Sequence, residues 1–455
     1  MKQGLVARLA AATMLAAVVD RQVPLDALVD ATTGPEGERN TFQRLSARDR
    51  ALARAVVTVA LRRRGAIERG LARFLDRPLP RRARQLHHLL HVAAAQIVFM
   101  DVPDRAAIDL AVDAAKGDTR SERFAGLVNA VLRRVAGAGD EIRALPPAPE
   151  DVPPWLWKAW RRDYGRDKAL RIVAALRDEP LLDLSLKAPD AERPEGFALA
   201  NGTWRVLDAT TPVPGLAGYS EGGWWVQDAA AALPVALLGA VKGRRVLDMC
   251  AAPGGKTAQL AARGAHVTAL DRAPGRVERL RNNLDRLGLR ADVMVADALE
   301  YEPPAGTEGF DAVLLDAPCS SLGTLRRHPD VVWTKTEADV AALAELQERL
   351  LERACRLVRP GGTVVFANCS LMKREGEDVW RRFREGAEGV EPAPVEPAEV
   401  FALPAVTGAG TLRTLPFHGF PASDGEATRE RAAGMDGFFA ARFRAHSTDP
   451  TSRAG

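Results

Sequence analysis

The chain has 455 residues, a length typical of about two or three domains rather than one. Hydrophobic residues make up 47% of it, which is enough to bury a substantial core and excludes a disordered or fibrous protein. No apolar run reaches the length of a bilayer span, so we expect no membrane association. The apolar segment 9–19 lacks a small-residue cleavage site and is interpreted as a buried helix rather than a signal peptide.

Charge is distributed unevenly along the chain. Residues 1–140 contain 23 Lys and Arg against 15 Asp and Glu, a balance of +8; because the whole chain carries +4, the remainder carries −4. A basic module joined to a weakly acidic one favours an anionic partner such as nucleic acid. A solvated, arginine-rich surface without any partner explains the same charge equally well.

The first 140 residues show helical periodicity. Ser46 followed by Asp49 is a capping pattern, and the apolar residues after it recur at spacings of three and four. We therefore predict an all-helical domain over 1–140. The proline-rich stretch 144–154 is a candidate linker, and residues 141–229 are predicted to form this linker and a small α+β subdomain, with a helix around 155–176.

From residue 230 the pattern changes to alternating strands and helices. Apolar strands are predicted at 245–249, 266–271, 291–297, 310–316 and 362–367. This alternation implies a mainly parallel sheet with helices on both faces, in which ligands bind beyond the carboxyl ends of the strands. We predict a Rossmann-like α/β domain over 230–445 and a disordered tail over 446–455.

A glycine-rich loop follows the first of these strands and opens a helix. Glycines allow a ligand to approach the backbone, and the helix amino end offers free N–H groups to a carboxylate. The loop matches neither the phosphate-binding P-loop nor the GxGxxG pattern. Its residues are Cys250, Ala251, Ala252, Pro253, Gly254, Gly255 and Lys256.

Acidic residues end the next two strands. Asp271 stands where an acid accepts ribose hydroxyls in dinucleotide folds, and Asp297 is placed to receive the exocyclic amine of an adenine. The alternative is that both acids are turn residues or helix caps. Their occurrence at consecutive strand ends favours the binding of a nucleotide-like cofactor.

Two cysteines are predicted to meet above neighbouring strands. Asp316 and Cys319 end the fourth strand, and Cys369 ends the fifth. A thiolate that adds to C6 of a cytosine makes C5 nucleophilic enough to accept a methyl group, so cysteine suits this task. Asp316 is placed to assist at N3 of the ring or to contact the methyl donor, and spacing alone leaves the roles of the two cysteines open. Cys250 and Cys355 are interpreted as packing residues.

Other features carry weaker signals. Arg326 and Arg327 follow the fourth strand and are expected to contact phosphates, with a solvated loop as the alternative. Trp224 and Trp225 are expected in the core. The sparse cysteines fit a reducing cytoplasm, and no metal site is predicted.

At this point the motifs resemble those of a known family. Segments 248–257, 316–320, 326–330 and 369–370 resemble, in this order, the motifs of bacterial RNA cytosine-C5 methyltransferases of the Sun/Fmu family. Segment 124–133 and the helices before it resemble the RNA-binding domain of the antitermination factor NusB. Together the two resemblances cover nearly the whole chain.

The family resemblance implies a cofactor and a set of site residues. The methyl donor is S-adenosyl-L-methionine, held by loop 250–256 with Asp271, Asp297 and Asp316. Cys369 is the nucleophile and Cys319 assists product release, and the catalytic residues are Cys369, Cys319, Asp316 and Lys256. Asn368 departs from the family, which usually has threonine there; we expect the turn to remain intact.

The resemblance also implies a substrate. RNA is expected as partner, in particular 16S ribosomal RNA, free or in an immature small subunit, with cytosine 967 as the family's usual target. A cytoplasmic monomer is expected. A transfer-RNA cytosine methyltransferase remains an alternative, favoured less because of the NusB-like front. A non-catalytic assembly or antitermination factor would not need the four catalytic residues together, and a DNA cytosine methyltransferase would use Cys319 as nucleophile.

Overall fold

A computed structural model describes residues 4–29, 42–77, 79–80, 83–207, 211–304, 306, 308–420 and 433–446. Its contacts divide the chain into two compact units, one formed by 1–178 with 327–335 and the other by 179–326 with 336–455. Within the described ranges, no helix is long and apolar enough to cross a membrane. Almost all of the predicted tail, from residue 447 onward, lies outside the described residues.

The first unit is helical, as predicted. Ser46 caps one of its helices by accepting a hydrogen bond from the Asp49 amide at 3.1 Å, which confirms the predicted cap. Helix Arg84–Phe99 is the central one, because most of its side chains are buried in the core of this unit. The helices of the unit span Leu5–Arg21, Leu25–Val29, Ala47–Arg62, Arg64–Ala72, Arg84–Phe99, Asp104–Lys116, Ala125–Gly137, Gly139–Arg143, Pro154–Leu176 and Val331–Thr334.

The first unit continues past the predicted boundary at residue 140. Asp151, in the proline-rich stretch, is buried and forms ion pairs with Arg177 at 2.5 Å and with Arg69 at 3.2 Å. Helix Pro154–Leu176 therefore belongs with the helical unit rather than with the α+β subdomain. The proline-rich composition of this stretch predicted a linker. Composition cannot show that Asp151 is buried and pairs with Arg177, which is distant in the sequence.

A small antiparallel sheet begins the second unit. Its strands are β1 (Asp183–Leu186), β2 (Gly196–Ala198), β3 (Trp204–Val206) and β4 (Trp224–Val226), in the order β2-β3-β1-β4. Trp224 and Trp225 are buried, as predicted. Arg205 binds both carboxylate oxygens of Asp183, at 2.7 and 2.8 Å, and so fixes β3 against β1.

A larger mixed sheet follows. Its strands are β5 (Arg245–Met249), β6 (His266–Asp271), β7 (Asp292–Val295), β8 (Phe310–Asp316), β9 (Val358–Asn368), β10 (Val390–Pro392), β11 (Leu412–Arg413) and β12 (Phe439–Ala445). The order β7-β6-β5-β8-β9 is parallel, and β12 pairs antiparallel with β9 and with β10. The parallel strands confirm the predicted Rossmann-like fold; the antiparallel extension was not anticipated.

Helices cover both faces of this sheet. They span Leu233–Ala236, Gly255–Ala262, Pro274–Leu287, Glu337–Leu357 and Glu377–Gly386. Because side chains alternate along a strand, Val246 of β5 packs into one core and Leu247 into the other. Strand order reverses between β5 and β8, so the loops after β5, β8 and β9 meet at the edge where α/β sheets bind ligands.

We predict that Asp151→Ala lowers the free energy of unfolding by about 3–5 kcal/mol, because Arg177 would be left as a buried charge without its partner. Urea denaturation followed by circular dichroism measures the change. Glu150→Ala, at an exposed neighbouring position, is the control and should change stability by less than about 0.5 kcal/mol. Equal stability of the two variants would show that the 144–154 stretch is the linker that composition suggested.

Candidate active site

The loops after β8 and β9 are joined by backbone contacts. The Gly323 amide donates to the Cys369 carbonyl at 2.9 Å, and the Gly437 amide donates to the Gly323 carbonyl at the same distance. A Cβ on residue 323 would lie 1.9 Å from the Gly437 carbonyl oxygen, so a side chain there cannot be accommodated without displacing backbone. Glycine at this position allows the three segments to come together.

This approach brings the two predicted cysteines into contact. The Sγ atoms of Cys319 and Cys369 are 3.5 Å apart, and both thiols are free. Their hydrogen bond lowers the pKa of Cys369, against the opposing effect of burial, and a hydrogen bond to Ser321 acts in the same direction. The same bond and burial raise the pKa of Cys319 well above its usual value. The two thiols therefore differ in acidity, with the lower pKa on Cys369.

Lys256 and Asp316 form an ion pair beside the cysteines. The Lys256 Nζ atom lies 2.6 Å from Asp316 Oδ2, and the lysine is buried. Burial alone would lower the pKa of Lys256, but the Asp316 carboxylate outweighs it and raises that pKa, and a charge on Cys369 acts in the same direction. The ring of Phe438 lies 5.0 Å from the ammonium group. All four residues predicted to be catalytic are thus brought together.

Glu375 organises this cluster, and sequence reasoning did not single it out. Its side chain is buried and accepts hydrogen bonds from the Ser320 amide at 2.7 Å and the Ser320 hydroxyl at 2.5 Å. It also accepts from the Ser370 hydroxyl. Because Ser320 follows Cys319 and Ser370 follows Cys369, one carboxylate fixes both cysteine loops. Burial raises the pKa of Glu375, while these hydrogen bonds oppose the rise. The sequence offered one signal for this role, an acidic residue six positions after Cys369. That this residue is fully buried is visible only in the structure.

Asn368, which stands where the family usually has threonine, does not disturb the turn after β9. Its Nδ2 donates to the Glu375 carbonyl at 2.7 Å and its Oδ1 accepts from the Ser370 amide at 3.1 Å. Arg413 supports the same turn by donating to the Ser370 carbonyl at 2.5 Å while pairing with Glu377. The expectation of an intact turn is confirmed.

The loop after β5 is held in an unusual backbone conformation. Cys250 has φ of 61° and Gly254 has φ of 102°, both in the left-handed region. A Cβ on Gly254 would lie 2.8 Å from Leu280, so this glycine permits the loop to pack on helix Pro274–Leu287. Helix Gly255–Ala262 then starts directly from the loop, with no side-chain cap on its amino end.

The acids after β6 and β7 differ in environment. Asp271 is buried, and its two oxygens accept from the Ala252 amide at 3.2 Å and the Ala273 amide at 3.0 Å, so it positions the glycine-rich loop. Asp297 is exposed and lies two residues beyond β7, where it accepts from the Leu299 amide at 2.9 Å. Both acids therefore also act as turn-stabilising residues, the alternative that the sequence left open.

A further buried acid lies beneath the loop. Asp248 of β5 is fully buried and accepts from the Thr257 hydroxyl at 2.6 Å. Burial raises the pKa of Asp248 to about 7. Its other oxygen has no hydrogen-bond partner among the described residues. This residue was part of the recognised motif, but its position under the loop was not anticipated.

Some residues do not join the site. Burial raises the pKa of Cys250 and of Cys355 to about 12, which fits their interpretation as unreactive packing residues. Arg326 is buried, and a Cβ on Gly434 would lie 2.6 Å from its guanidinium, so this group is not presented to a phosphate. Arg327 is exposed and belongs to the other compact unit. Arg326 is therefore not the exposed phosphate contact that was expected, and phosphate contact by Arg327 stays a prediction.

Comparison with known proteins agrees with this architecture. Residues 235–444 match the family model described as 16S rRNA methyltransferase RsmB/F, and residues 5–137 match the NusB family. The chain is 36% identical over 413 residues to the ribosomal RNA small subunit methyltransferase B of Xanthomonas campestris, covering 86% of this chain and 90% of that protein.

Solved structures are similar in fold. The crystal structure of PH0851 has a TM-score of 0.67 at 22% identity and covers 97% of this chain and 99% of that one. A methyltransferase homologue from Pyrococcus horikoshii has a TM-score of 0.50 at 23% identity and covers 65% of this chain and 100% of its own. At these identities the structures show the fold alone. The relative from Xanthomonas campestris, by its identity and coverage, shows the family as well as the fold. This chain is a member of the 16S rRNA methyltransferase RsmB/F family, with a NusB-family domain in its N-terminal part.

Proposed function

We propose that this protein transfers a methyl group from S-adenosyl-L-methionine to C5 of a cytosine in RNA, with Cys369 as covalent nucleophile. The observation that carries the proposal is the Cys319–Cys369 pair, 3.5 Å apart and next to the Lys256–Asp316 ion pair. A thiol with a lowered pKa is suited to act as a nucleophile, because the thiolate is the reactive form.

The substrate we propose is 16S ribosomal RNA. The curated relatives are named as small-subunit ribosomal RNA methyltransferases, and the NusB-family domain carries the basic front of the chain. Cytosine 967 is the position we propose, as the family resemblance implies. Transfer RNA is the second candidate, since the catalytic residues alone do not distinguish the two RNAs. Comparing methylation of the two RNAs by the purified protein tests this choice.

The proposed reaction begins at the cysteine pair. The Cys369 thiolate adds to C6 of the cytosine, and the electron pair of the 5,6 double bond moves into the ring, so C5 becomes nucleophilic. Asp316, which pairs with Lys256, is placed to accept a hydrogen bond from N3 once the adduct is protonated there, or to contact the methyl donor. After methyl transfer the C5 proton passes to a base in the site, the Cys319 sulfur or the Asp316 carboxylate. The C5–H electron pair reforms the 5,6 double bond, and Cys369 leaves C6 as a thiolate. Cys319, 3.5 Å from Cys369, is positioned to assist that release.

The residues at the sheet edge fit the methyl donor. S-adenosyl-L-methionine supplies the electrophilic methyl group when bound. The uncapped amino end of helix Gly255–Ala262 suits its carboxylate, and carboxylates after β6 and β7 suit its ribose hydroxyls and adenine amine. Asp271 is already engaged by two backbone amides, so it orders the loop as well as offering an acceptor.

We expect the two cysteine variants to behave differently. Cys369→Ser replaces the thiolate with a hydroxyl that stays protonated at neutral pH, so methylation and adduct formation should stop. Cys319→Ser should permit addition and methyl transfer but slow release, leaving a protein–RNA adduct that survives denaturing electrophoresis. Methyl incorporation from radiolabelled donor and gel mobility measure both steps.

Cys355→Ser is the control for these variants, because Cys355 lies away from the pair on helix Glu337–Leu357. It should methylate RNA at the wild-type rate. A stable adduct in Cys369→Ser instead of Cys319→Ser would exchange the two roles. Turnover by Cys369→Ser would remove Cys369 as nucleophile.

We predict that Cys319→Ala raises the pKa of Cys369, because it removes the hydrogen bond that contributes most to lowering it. The thiolate fraction at any given pH should fall, so the pH profile of Cys369 alkylation by iodoacetamide should move to higher pH. Peptide mass spectrometry reads the Cys369 modification separately. In Cys319→Ser, where a hydroxyl donor remains, the displacement should be smaller; identical profiles in wild type and Cys319→Ala would show that Cys319 does not tune the nucleophile.

We expect Asp297→Ala to weaken binding of S-adenosylhomocysteine by roughly tenfold or more, the range for loss of a hydrogen bond to a charged group. Calorimetric titration measures the affinity. Asp292→Ala, which removes an exposed acid at the other end of β7, is the matched control and should bind as wild type. Asp271 is a poorer test because its removal also releases the Ala252 amide. Wild-type affinity in Asp297→Ala would remove the adenine assignment.

A further inference from the structure

The helical unit brings together three side chains that the proposed methyl transfer does not use. His87 and His91 lie one turn apart on helix Arg84–Phe99, and Glu68 lies on helix Arg64–Ala72. One donor atom from each side chain lies within 4.8 Å of the other two. Glu68 Oε2 is 2.9 Å from His91 Nε2 and 3.4 Å from His87 Nε2. Ligands bonded to a tetrahedral zinc ion at about 2.0–2.1 Å are roughly 3.4 Å apart, so the Glu68–His87 spacing suits one ion and the Glu68–His91 spacing must widen by about 0.5 Å to admit it.

One ring of this cluster is held in a fixed orientation. The His91 ring is fully buried, and its Nδ1 lies 3.0 Å from the backbone carbonyl of His87. A carbonyl oxygen only accepts, so this contact uses a proton on Nδ1 and leaves Nε2 directed at the Glu68 carboxylate, 2.9 Å away. A cation bound at Nε2 would take the place of that contact and be shared by the imidazole and the carboxylate.

We propose that Glu68, His87 and His91 form a zinc site in the helical unit. Two imidazoles and a carboxylate are a donor set that Zn²⁺ uses when its fourth position is left to water or another ligand. The hydrogen bond from His91 Nδ1 to a backbone carbonyl orients the ring as ligating histidines usually are. The ion would join helices Arg64–Ala72 and Arg84–Phe99.

The fourth position faces a cavity. The cavity has a volume of about 460 Å³ and is lined by Glu68, Ala72, Leu75, Arg84 and His87, among others. Glu68 and His87 are partly exposed there, whereas His91 closes the buried side. An ion can therefore enter without opening the helical core, and a water or small anion can complete its coordination. The sequence did not predict this site, because two histidines at i and i+4, such as His87 and His91, also occur on ordinary buried helices.

The test is titration of the metal-stripped full-length chain with ZnCl₂, followed by calorimetry and by mass spectrometry of bound metal. The Cys319→Ser/Cys369→Ser double variant serves as background, because the paired thiols would otherwise compete for zinc. We expect one equivalent to bind. Glu68→Gln and His87→Asn should each weaken binding by at least about tenfold, the smaller effect seen even for outer-shell partners. His91→Ala should also weaken zinc binding, but loss of this buried ring affects folding as well. The variants at the partly exposed Glu68 and His87 therefore give the clearer test of the site.

His266→Ala, at an exposed position of β6, is the control and should bind zinc as the background does. Substitution of Co²⁺ should give visible bands of tetrahedral cobalt without thiolate charge-transfer absorption. Zinc should raise the melting temperature of the background but not of Glu68→Gln or His87→Asn. Absence of binding, or binding unaffected by both substitutions, would overturn the site and leave Glu68 and the histidines as an ion-paired cluster.

Discussion

The buried carboxylate of Glu375 is the constraint on which the active-site geometry depends. It accepts hydrogen bonds from the serines that directly follow each cysteine, and its own backbone carbonyl accepts from Asn368. A buried carboxylate is costly unless its oxygens are satisfied, so both loops must keep their positions for the fold to be stable. The network beneath the cysteines therefore holds the two Sγ atoms at the 3.5 Å at which they hydrogen-bond.

The charged and hydrogen-bonding groups around the two cysteines set the acidity of each thiol. Lys256 is buried beside Phe438, and its ion pair with Asp316 raises the pKa of the lysine. Hydrogen bonds lower the pKa of Cys369, whereas the pKa of Cys319 is raised. Two chemically identical side chains thus acquire different acidities from their surroundings, which is what the proposed division of roles between them requires.

The sheet explains why these parts meet. Reversal of strand order between β5 and β8 places the cofactor loop next to the cysteine loops, because parallel strands all end at the same edge. The close backbone approach at Gly323 joins the loop after β9 to the segment before β12. The antiparallel strand β12 therefore does more than extend the sheet: it brings Phe438 to Lys256, and its pairing with β9 holds Asn368 in register with Phe439.

Short-range patterns in the sequence were sufficient for the helical front, the positions of the parallel strands and the glycine-rich loop, whereas the four residues predicted to be catalytic came from the family resemblance. Those signals are local, because apolar spacing and turn residues reflect the conformation of a few neighbouring residues. The sequence did not reveal that Asp151 ties the proline-rich stretch to Arg177, that Arg326 is buried, or that Glu375 supports both cysteines. Each of these depends on which distant side chain lies opposite a polar group once water is excluded, and only the tertiary structure decides that.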